Sequence, residues 1–273
     1  MDNANKRAKS DDTPGSTSRF RKQDTDDLNI SFEGVKEWWT PIEMFDAPTF
    51  FYLRNEDVPT NEEGGEYTRE ERTLISHLNK IRINEGVVTG TQESNTDSMV
   101  NYVLTKLEFN EYPCSLRLQQ LIQFYYGDRS ITSVPEFCIE HGIDTVLIDE
   151  DKHFKNVRQG TQWGEYQIAG EMLAIACSNH DKQYSHGLEI RSYETVHAMR
   201  VIGARFTFYK SIVSKKYIDS VNEGTPSEKM VIMRYPDNYD KDPAFSHWDF
   251  FKPTERRKII EALFQIKHYI DHL

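Results

Sequence analysis

The run Thr-Val-Leu-Ile at 145–148 is apolar or β-branched at every position. A strand of this kind needs cover on both faces, which is typical of the central strand of a layered sheet. Helical periodicity precedes the run at 67–83 and 96–112, and it follows the run at 164–176 and 254–270. The sequence therefore predicts an α/β chain with a central mixed β-sheet flanked by helices.

Shorter strands are expected on both sides of this run. They cover 116–126, 131–139, 143–148, 196–211 and 230–235. The first of them ends in Gly127-Asp128-Arg129, which is typical of a hairpin turn. A polar loop is predicted at 178–187, where His180 and His186 are either a metal-binding pair or ordinary polar surface.

The first 29 residues differ in composition from the rest of the chain. They are mostly charged or small and polar, so they cannot bury enough surface to offset the entropy of ordering. We expect a disordered tail over 1–29 and a single domain over 30–273, with the core motifs at about 90–180. The basic cluster Lys6-Arg7-Ala8-Lys9 is either a nuclear address or a chance group of charges.

The charge of the chain is acidic, with 44 Asp and Glu against 33 Lys and Arg and a net charge of −11. This balance excludes a protein that coats nucleic acid by charge alone, since phosphate binding requires Lys and Arg. A local basic surface remains compatible with it. Cations cluster at 188–216, where they either line a groove for nucleic acid or form solvated strand faces: Arg191, Arg200, Arg205, Lys210, Lys215 and Lys216. Arg256, Arg257 and Lys258 leave the same two interpretations open.

The three cysteines are Cys114, Cys138 and Cys177. They cannot form a disulfide framework and no pair has the spacing of a zinc site, which indicates a reducing compartment. No apolar leader begins the chain, and no apolar run approaches the roughly 20 residues that span a bilayer. We expect a soluble intracellular protein without a membrane partner, in the nucleus or the cytoplasm.

Acidic residues mark the ends of two neighbouring predicted strands. Glu136 follows Pro135, and Glu150 and Lys152 follow the apolar run. Alternate strand residues share a face, so Glu150 and Lys152 project to one side, and pairing of the two strands brings Glu136 towards Glu150. A shift of one residue would instead turn Asp149 inward.

Two carboxylates and a lysine at one strand edge suit metal-assisted hydrolysis of a phosphodiester. Mg²⁺ prefers carboxylate oxygens and lowers the pKa of a bound water. A lysine beside it neutralises the charge that develops on the phosphoryl group. The alternative is that Glu150-Asp151-Lys152 is ordinary solvated charge at the end of a strand.

This pattern resembles the PD-(D/E)XK nuclease superfamily, which has the restriction-endonuclease-like fold. Pro135-Glu136 matches the Pro-acidic pair of the family, with Glu where Asp is usual, and Glu150-Asp151-Lys152 matches its acid-X-Lys element. The resemblance implies that Glu136 and Glu150 bind Mg²⁺ or Mn²⁺, with the main-chain carbonyl of Asp151 as a third ligand. It implies that Lys152 is the catalytic lysine.

The resemblance extends to the flanking helices. It implies a polar residue on the following helix, for which Gln167 is the candidate, with Glu171 as a neighbour one turn away. It also implies an acid on the preceding helix, where Glu93 is favoured over Asp97. The order of elements is similar to that of the nuclease-like domains of fungal and oomycete Crinkler-type proteins, which implies a nuclear or host-directed role.

The sequence thus predicts a metal-dependent nuclease that acts on DNA rather than RNA. One alternative is a catalytically inactive interaction or effector protein with the nuclease fold. Another is an acidic scaffold that binds a protein through the aromatic residues at 38–53.

Overall fold

The computed structural model describes residues 14–37, 47–61, 66–86, 92–152 and 159–273, with the backbone alone at 151–152 and 159–161. Within these ranges the α-helices are α1 (Lys22–Asp27), α2 (Arg69–Gly86), α3 (Ser94–Lys106), α4 (Glu165–Ser185), α5 (Lys215–Asn222) and α6 (Pro253–Asp271). The strands are β1 (Ile30–Gly34), β2 (Cys114–Leu118), β3 (Ile122–Tyr126), β4 (Arg129–Ser133), β5 (Phe137–His141), β6 (Asp144–Lys152), β7 (Tyr193–Ile202), β8 (Arg205–Ser214), β9 (Met230–Tyr235) and β10 (Trp248–Asp249). None of the helices in these ranges has both the length and the apolar character that crossing a bilayer requires.

The main sheet has eight strands in the order β1-β9-β8-β7-β6-β5-β2, with β10 paired to β8. The pairs β6–β7 and β1–β9 are parallel, and the other pairs are antiparallel. The parallel strands β6 and β7 are joined through α4, since such a connection has to cross over one face of the sheet. The apolar run at 145–148 lies in β6, between β5 and β7, so the predicted central strand is confirmed.

Helices cover both faces of the sheet. One core joins the sheet to α2, α3 and α6, and the other joins it to α4, α5, the residues that flank α1 and the separate β3–β4 hairpin. Leu147 of β6 packs in the first core and Ile148 in the second, so neighbouring residues of one strand point to opposite layers. The prediction of an α/β chain with a large mixed sheet flanked by helices is confirmed.

The N-terminal segment packs on α4. Phe20 and Leu28 are buried in the second core, and the Tyr217 hydroxyl donates to the main-chain oxygen of Leu28 at 2.6 Å. Phe20 fits because Gly170 of α4 has no side chain: a Cβ there would lie 2.8 Å from the Phe20 ring. The disordered tail expected over 1–29 therefore does not include 14–29. Residues 1–13, with the basic cluster at Lys6, lie outside the described ranges.

The strands before β6 are divided differently from the prediction. The expected strand at 116–126 consists of β2, in the main sheet, and β3, in the hairpin. The β3–β4 turn lies at Gly127 as predicted, and Gly127 has a φ of +58°. The expected strand at 131–139 is split into β4 and β5 around Pro135, which lacks the N–H group that a ladder requires.

The predicted loop at 178–187 is wrong, because α4 continues to Ser185. Asn179 is buried there and bonds both main-chain groups of Thr145, at 2.9 and 2.8 Å. His180 is 8% exposed within the helix, and His186 follows its end. Helical steps of about 100° put position 186 about 240° around the helix axis from His180. The two histidines therefore lie on different faces and do not form a metal pair.

Candidate functional site

Glu136 lies immediately before β5 in a cleft of about 350 Å³ beside α3 and the end of β2. Its main-chain N–H donates to the oxygen of Asp149 at 3.1 Å, and its oxygen accepts from the N–H of Gln119 at 3.0 Å. The Gln119 side chain also donates to the Glu136 carboxylate at 3.1 Å. These bonds fix Glu136 between β2 and β6, and its half-buried carboxylate still reaches the cleft.

The opposite wall of the cleft is the first half of α3. Asp97, Ser98 and Asn101 line it, whereas Glu93 precedes the helix at its N-terminal cap position and is not among the lining residues. A carboxylate in the first turn of a helix is stabilised by the helix dipole. Of the two acids considered on this helix, the structure thus brings Asp97 into the cleft with Glu136.

Glu150 and Asp149 are both buried in β6, at 2% and 1% exposure. Phe137 of β5 is paired with Asp149, and Glu150 is in register with Arg200 of β7. Strand alternation puts Glu150 on the α4 side with Ile148, and it puts Asp149 on the α3 side with Leu147. Neither acid is solvated charge at the end of a strand.

The polar pair on α4 lies under the same region of the sheet. Gln167 donates to Glu171 at 2.8 Å, and Glu171 is completely buried. Burial raises the pKa of the Cys138 thiol in β5 to about 12, and the negative charge of Glu171 is the next cause. The charge of Glu171 thus affects Cys138 of β5. Cys138 is paired with Ile148, which lies two residues before Glu150. The sequence had given this buried acid only the role of a neighbour to Gln167.

The remaining residues of the acid-X-Lys element are described in their backbone alone. Asp151 and Lys152 continue β6 in register with Val201 and Ile202 of β7. Their side chains and residues 153–158 lie outside the described part of the chain. The catalytic role of Lys152 and the ligand role of the Asp151 carbonyl therefore stay predictions.

A buried arginine holds the segment that leads into α4. Arg200 is 1% exposed and donates to the main-chain oxygens of Trp163 at 2.9 Å and Ala244 at 2.7 Å, and to the Thr207 hydroxyl at 3.1 Å. Its guanidinium lies 5.7 Å from the centre of the Tyr209 ring. The expectation that Arg200 faces nucleic acid is wrong, because its donors are used inside the protein.

A buried ion pair fixes the first turn of α4. Arg234 of β9 binds both carboxylate oxygens of Glu165, at 3.0 and 3.1 Å, and the Tyr209 hydroxyl donates to the same carboxylate at 3.0 Å. Burial raises the pKa of Tyr209 well above its usual value. The sequence did not single out these residues; the one signal was a glutamate in the first turn of a helix with many apolar residues.

The other cations of 188–216 do not form an open basic surface. Four of them are neutralised by acids: Arg191 by Asp144 at 2.5 Å and Glu194 at 3.4 Å, Arg205 by Glu85 at 2.6 Å, Lys215 by Asp219 at 2.5 Å, and Lys216 by Glu228 at 2.8 Å. Burial lowers the pKa of Lys210, whose ammonium lies 5.7 Å from the Tyr269 ring centre. The nucleic-acid surface expected around Arg191, Arg200, Arg205 and Lys210 is therefore not present at these residues.

Arg256 of α6 also uses its donors inside the protein. It is completely buried and donates to the main-chain oxygens of Phe250 at 3.1 Å, Tyr52 at 3.1 Å and Glu56 at 2.7 Å. Burial lowers the pKa of Arg256 to about 10. It ties the start of α6 to the segment before α2 and is not part of a binding surface.

The donors that line the cleft are carboxylate, amide and hydroxyl oxygens, which is the set that Mg²⁺ and Mn²⁺ prefer. Among the described residues no three His, Cys, Asp or Glu side chains converge as metal ligands. The side chains of the acid-X-Lys element after Glu150 are not among those residues. The chemistry of Asp97 and Glu136 in the cleft fits a hard divalent cation, whereas Glu150 is not among the residues that line the cleft.

Comparison with known proteins gives no assignment. No protein-family model matches this sequence, and a search of curated proteins finds no significant match.

Proposed function

We propose that this chain is a metal-dependent nuclease with the restriction-endonuclease-like fold, which hydrolyses phosphodiester bonds in DNA in preference to RNA. One observation carries the proposal: the Pro-acidic element lies immediately before β5 and the acid-X-Lys element lies on the adjacent antiparallel strand β6, and the two are joined by the bond from Glu136 to Asp149. The helix before them supplies Asp97, and the helix after them supplies Gln167. This order agrees with what the resemblance to the PD-(D/E)XK superfamily implies.

Each residue has a defined role in this proposal. Glu136 and Glu150 would hold Mg²⁺ or Mn²⁺, with the Asp151 carbonyl and an acid of the preceding helix completing the set. The cation supplies a water of lowered pKa and an electrostatic partner for the phosphoryl oxygens. Lys152 would hold the attacking water and neutralise the charge that develops on the phosphoryl group. Gln167, fixed by Glu171, would orient the lysine or the scissile phosphate.

Cleavage of a labelled DNA duplex, with a matched RNA duplex beside it, tests the proposal. The unmodified chain should cut in Mg²⁺ or Mn²⁺ and not in excess chelator. Glu150→Gln and Lys152→Ala should each slow cleavage at least about 100-fold, because each removes a charge that acts on the reacting phosphate. Glu140→Gln is the matched control: Glu140 lies on the neighbouring strand β5 but binds Arg117 at 2.9 Å, so its loss should leave the rate unchanged.

The thermal unfolding midpoints of these variants should stay close to that of the unmodified chain, which separates lost chemistry from lost folding. The proposal is overturned if the unmodified chain cuts neither DNA nor RNA in either metal. It is also overturned if Glu150→Gln and Lys152→Ala cut at the unmodified rate.

A second candidate is a catalytically inactive protein with the same fold. The observation in its favour is that the cations of 188–216 are neutralised within the chain and offer no substrate surface. Titration with Mn²⁺ distinguishes the two functions. A nuclease should bind the metal saturably, and Glu136→Gln or Glu150→Gln should weaken that binding; an inactive protein should show no such dependence.

A further inference from the structure

A groove of about 570 Å³ runs along α2, away from the cleft of Glu136. Its lining includes the cations Arg69, Arg72 and Lys80 and contains no carboxylate. All three cations are exposed. Within the described part of the chain none of them takes part in an ion pair, in contrast to Arg191, Arg205, Lys215 and Lys216.

Two acids lie in the first turn of α2, and neither lines the groove: Glu70 is half-buried, and Glu71 is turned away from the cations. Glu71 is buried, accepts from the N–H of Thr68 at 2.7 Å and lies 3.9 Å from Arg54. The positive charge of the groove is therefore not balanced by Glu71. In a chain with a net charge of −11, an unbalanced group of cations marks a surface that attracts anions.

The spacing of the cations suits an extended anion. Arg69, Arg72, Ser76 and Lys80 follow one another at intervals of three and four residues, so they share one face of α2. A rise of 1.5 Å per residue separates Arg69 from Lys80 by about 16 Å along the helix. That length corresponds to roughly five nucleotides of one B-form strand, at about 3.4 Å each. A single small anion would use only one end of such a groove.

The groove is linked to the candidate site through α3. The His77 ring lies 5.2 Å from the Tyr102 ring, and the Tyr102 hydroxyl donates to the main-chain oxygen of Glu70 at 3.2 Å. Tyr102 directly follows Asn101, which lines the cleft of Glu136. α3 thus contacts the groove through Tyr102 and lines the cleft through Asn101.

We propose that the α2 groove binds consecutive phosphate groups of a nucleic-acid backbone, through Arg69, Arg72 and Lys80, and so holds the substrate of the candidate site. The inference rests on the proposed function, since it names the surface that the substrate uses. The cations of 188–216, for which the sequence left this role open, do not provide such a surface because they are paired or buried.

Binding is measured separately from cleavage in a Glu150→Gln background. Fluorescence anisotropy of a labelled DNA duplex and a labelled RNA duplex gives the Kd between about 50 and 200 mM salt. The groove variant combines Arg69→Ala, Arg72→Ala and Lys80→Ala; alanine preserves the helix at these exposed positions. The control variant combines Lys215→Ala, Lys216→Ala and Lys267→Ala, which removes the same charge from cations that are paired with acids.

We expect the groove variant to bind at least about tenfold more weakly at low salt, with a salt slope lower by about two to three, since each phosphate contact contributes about 0.9. The control should keep both values close to those of the background. Equal losses in the two variants, or none in the groove variant, overturn the inference and leave the nuclease proposal to the cleavage assay. Binding that depends on the groove without any cleavage by the unmodified chain supports the inference and overturns the nuclease.

Competition with polyglutamate tests the class of ligand. A groove selected for consecutive phosphates should release the duplex only at a large excess of this polymer, because the spacing of its three cations suits a nucleic-acid backbone. Equal competition by charge equivalent would show that an acidic protein segment is the ligand, and it would overturn the assignment to nucleic acid.

Discussion

Arg200 donates to the main-chain oxygen of Trp163 at 2.9 Å, although the two residues belong to different layers of the fold. Arg200 lies on β7 in register with Glu150, and Trp163 lies in the turn that enters α4. The bond therefore connects the strand beside Glu150 to the helix that carries Gln167 and Glu171.

Replacement of Arg200 by Met should lower the free energy of unfolding by about 3 kcal/mol, because three buried oxygen acceptors lose their donor. Urea denaturation measures the change. Lys215→Met is the control, since Lys215 and its partner Asp219 are both exposed and its loss should cost about 1 kcal/mol or less. Equal losses for the two variants would show that Arg200 is not a structural clamp.

The pair Glu165–Arg234 should behave as one unit. Glu165→Gln and Arg234→Met should each cost about 3 kcal/mol of unfolding free energy, because each leaves a buried charge without its partner. The double variant should lose about 2 kcal/mol less than the sum of the single losses. Urea denaturation of the four proteins gives this coupling. The exposed pair Lys215–Asp219 is the control and should show a coupling of about 0.5 kcal/mol or less. Strictly additive losses of unfolding free energy at Glu165 and Arg234 would contradict the prediction.

Gln119 should act on the metal dependence of the proposed reaction. Its side chain orients the Glu136 carboxylate, so Gln119→Leu should raise the Mg²⁺ concentration for half-maximal cleavage about tenfold, with little change in the rate at saturating metal. A titration of cleavage rate against Mg²⁺ checks this. Gln123→Leu serves as the control, because Gln123 bonds Ser130 within the separate hairpin. An unchanged half-maximal concentration in Gln119→Leu would remove Gln119 from the site.

His197 should make the protein less stable in acid. Burial, and next the positive charge of Lys210, lower the pKa of His197 to about 3, whereas an unfolded histidine has a pKa of about 6.5. The unfolded chain therefore binds a proton between these values and the folded chain does not. The stability is complete above pH 6.5 and falls by about 1.4 kcal/mol per pH unit below it, down to about pH 3.

Replacement of His197 by Phe should remove this slope, which urea denaturation between about pH 6.5 and 4.5 measures. His268→Phe, at an exposed position of α6, should retain the slope of the unmodified chain. A slope in His197→Phe equal to that of the unmodified chain would contradict the assignment.

The sequence predicts those parts of the fold that depend on local pattern. The run at 145–148 indicates a strand covered on both faces, and β6 is such a strand because helices lie on both sides of the sheet. Gly127 indicates a hairpin, and the β3–β4 turn forms there. The placement of Glu136 and Glu150 on neighbouring strands follows from the same patterns.

The partners of charged and polar residues could not be predicted in this way. Arg205 is paired with Glu85, which lies 120 positions away, and Arg200 bonds an oxygen 44 positions away. A sequence shows how many cations a segment has but not which distant acids neutralise them. The polar residues Asn179 and Gln183 favoured a loop at 178–187 for the same reason. Their bonds to Thr145 and Glu194 are made by distant parts of the chain and form only in the folded protein.

The pairing of β1 with β9 sets an order of events during synthesis. Ile30 is aligned with Met230, so the first strand of the chain has to wait for a partner that is translated two hundred residues later. At about 5–20 residues per second, this wait lasts about 10–40 s. During that time the ribosome-bound chain carries an N-terminal strand with unsatisfied backbone groups. Of the strands that the structure describes, β1 therefore waits longest for its partner and stays longest open to chaperones.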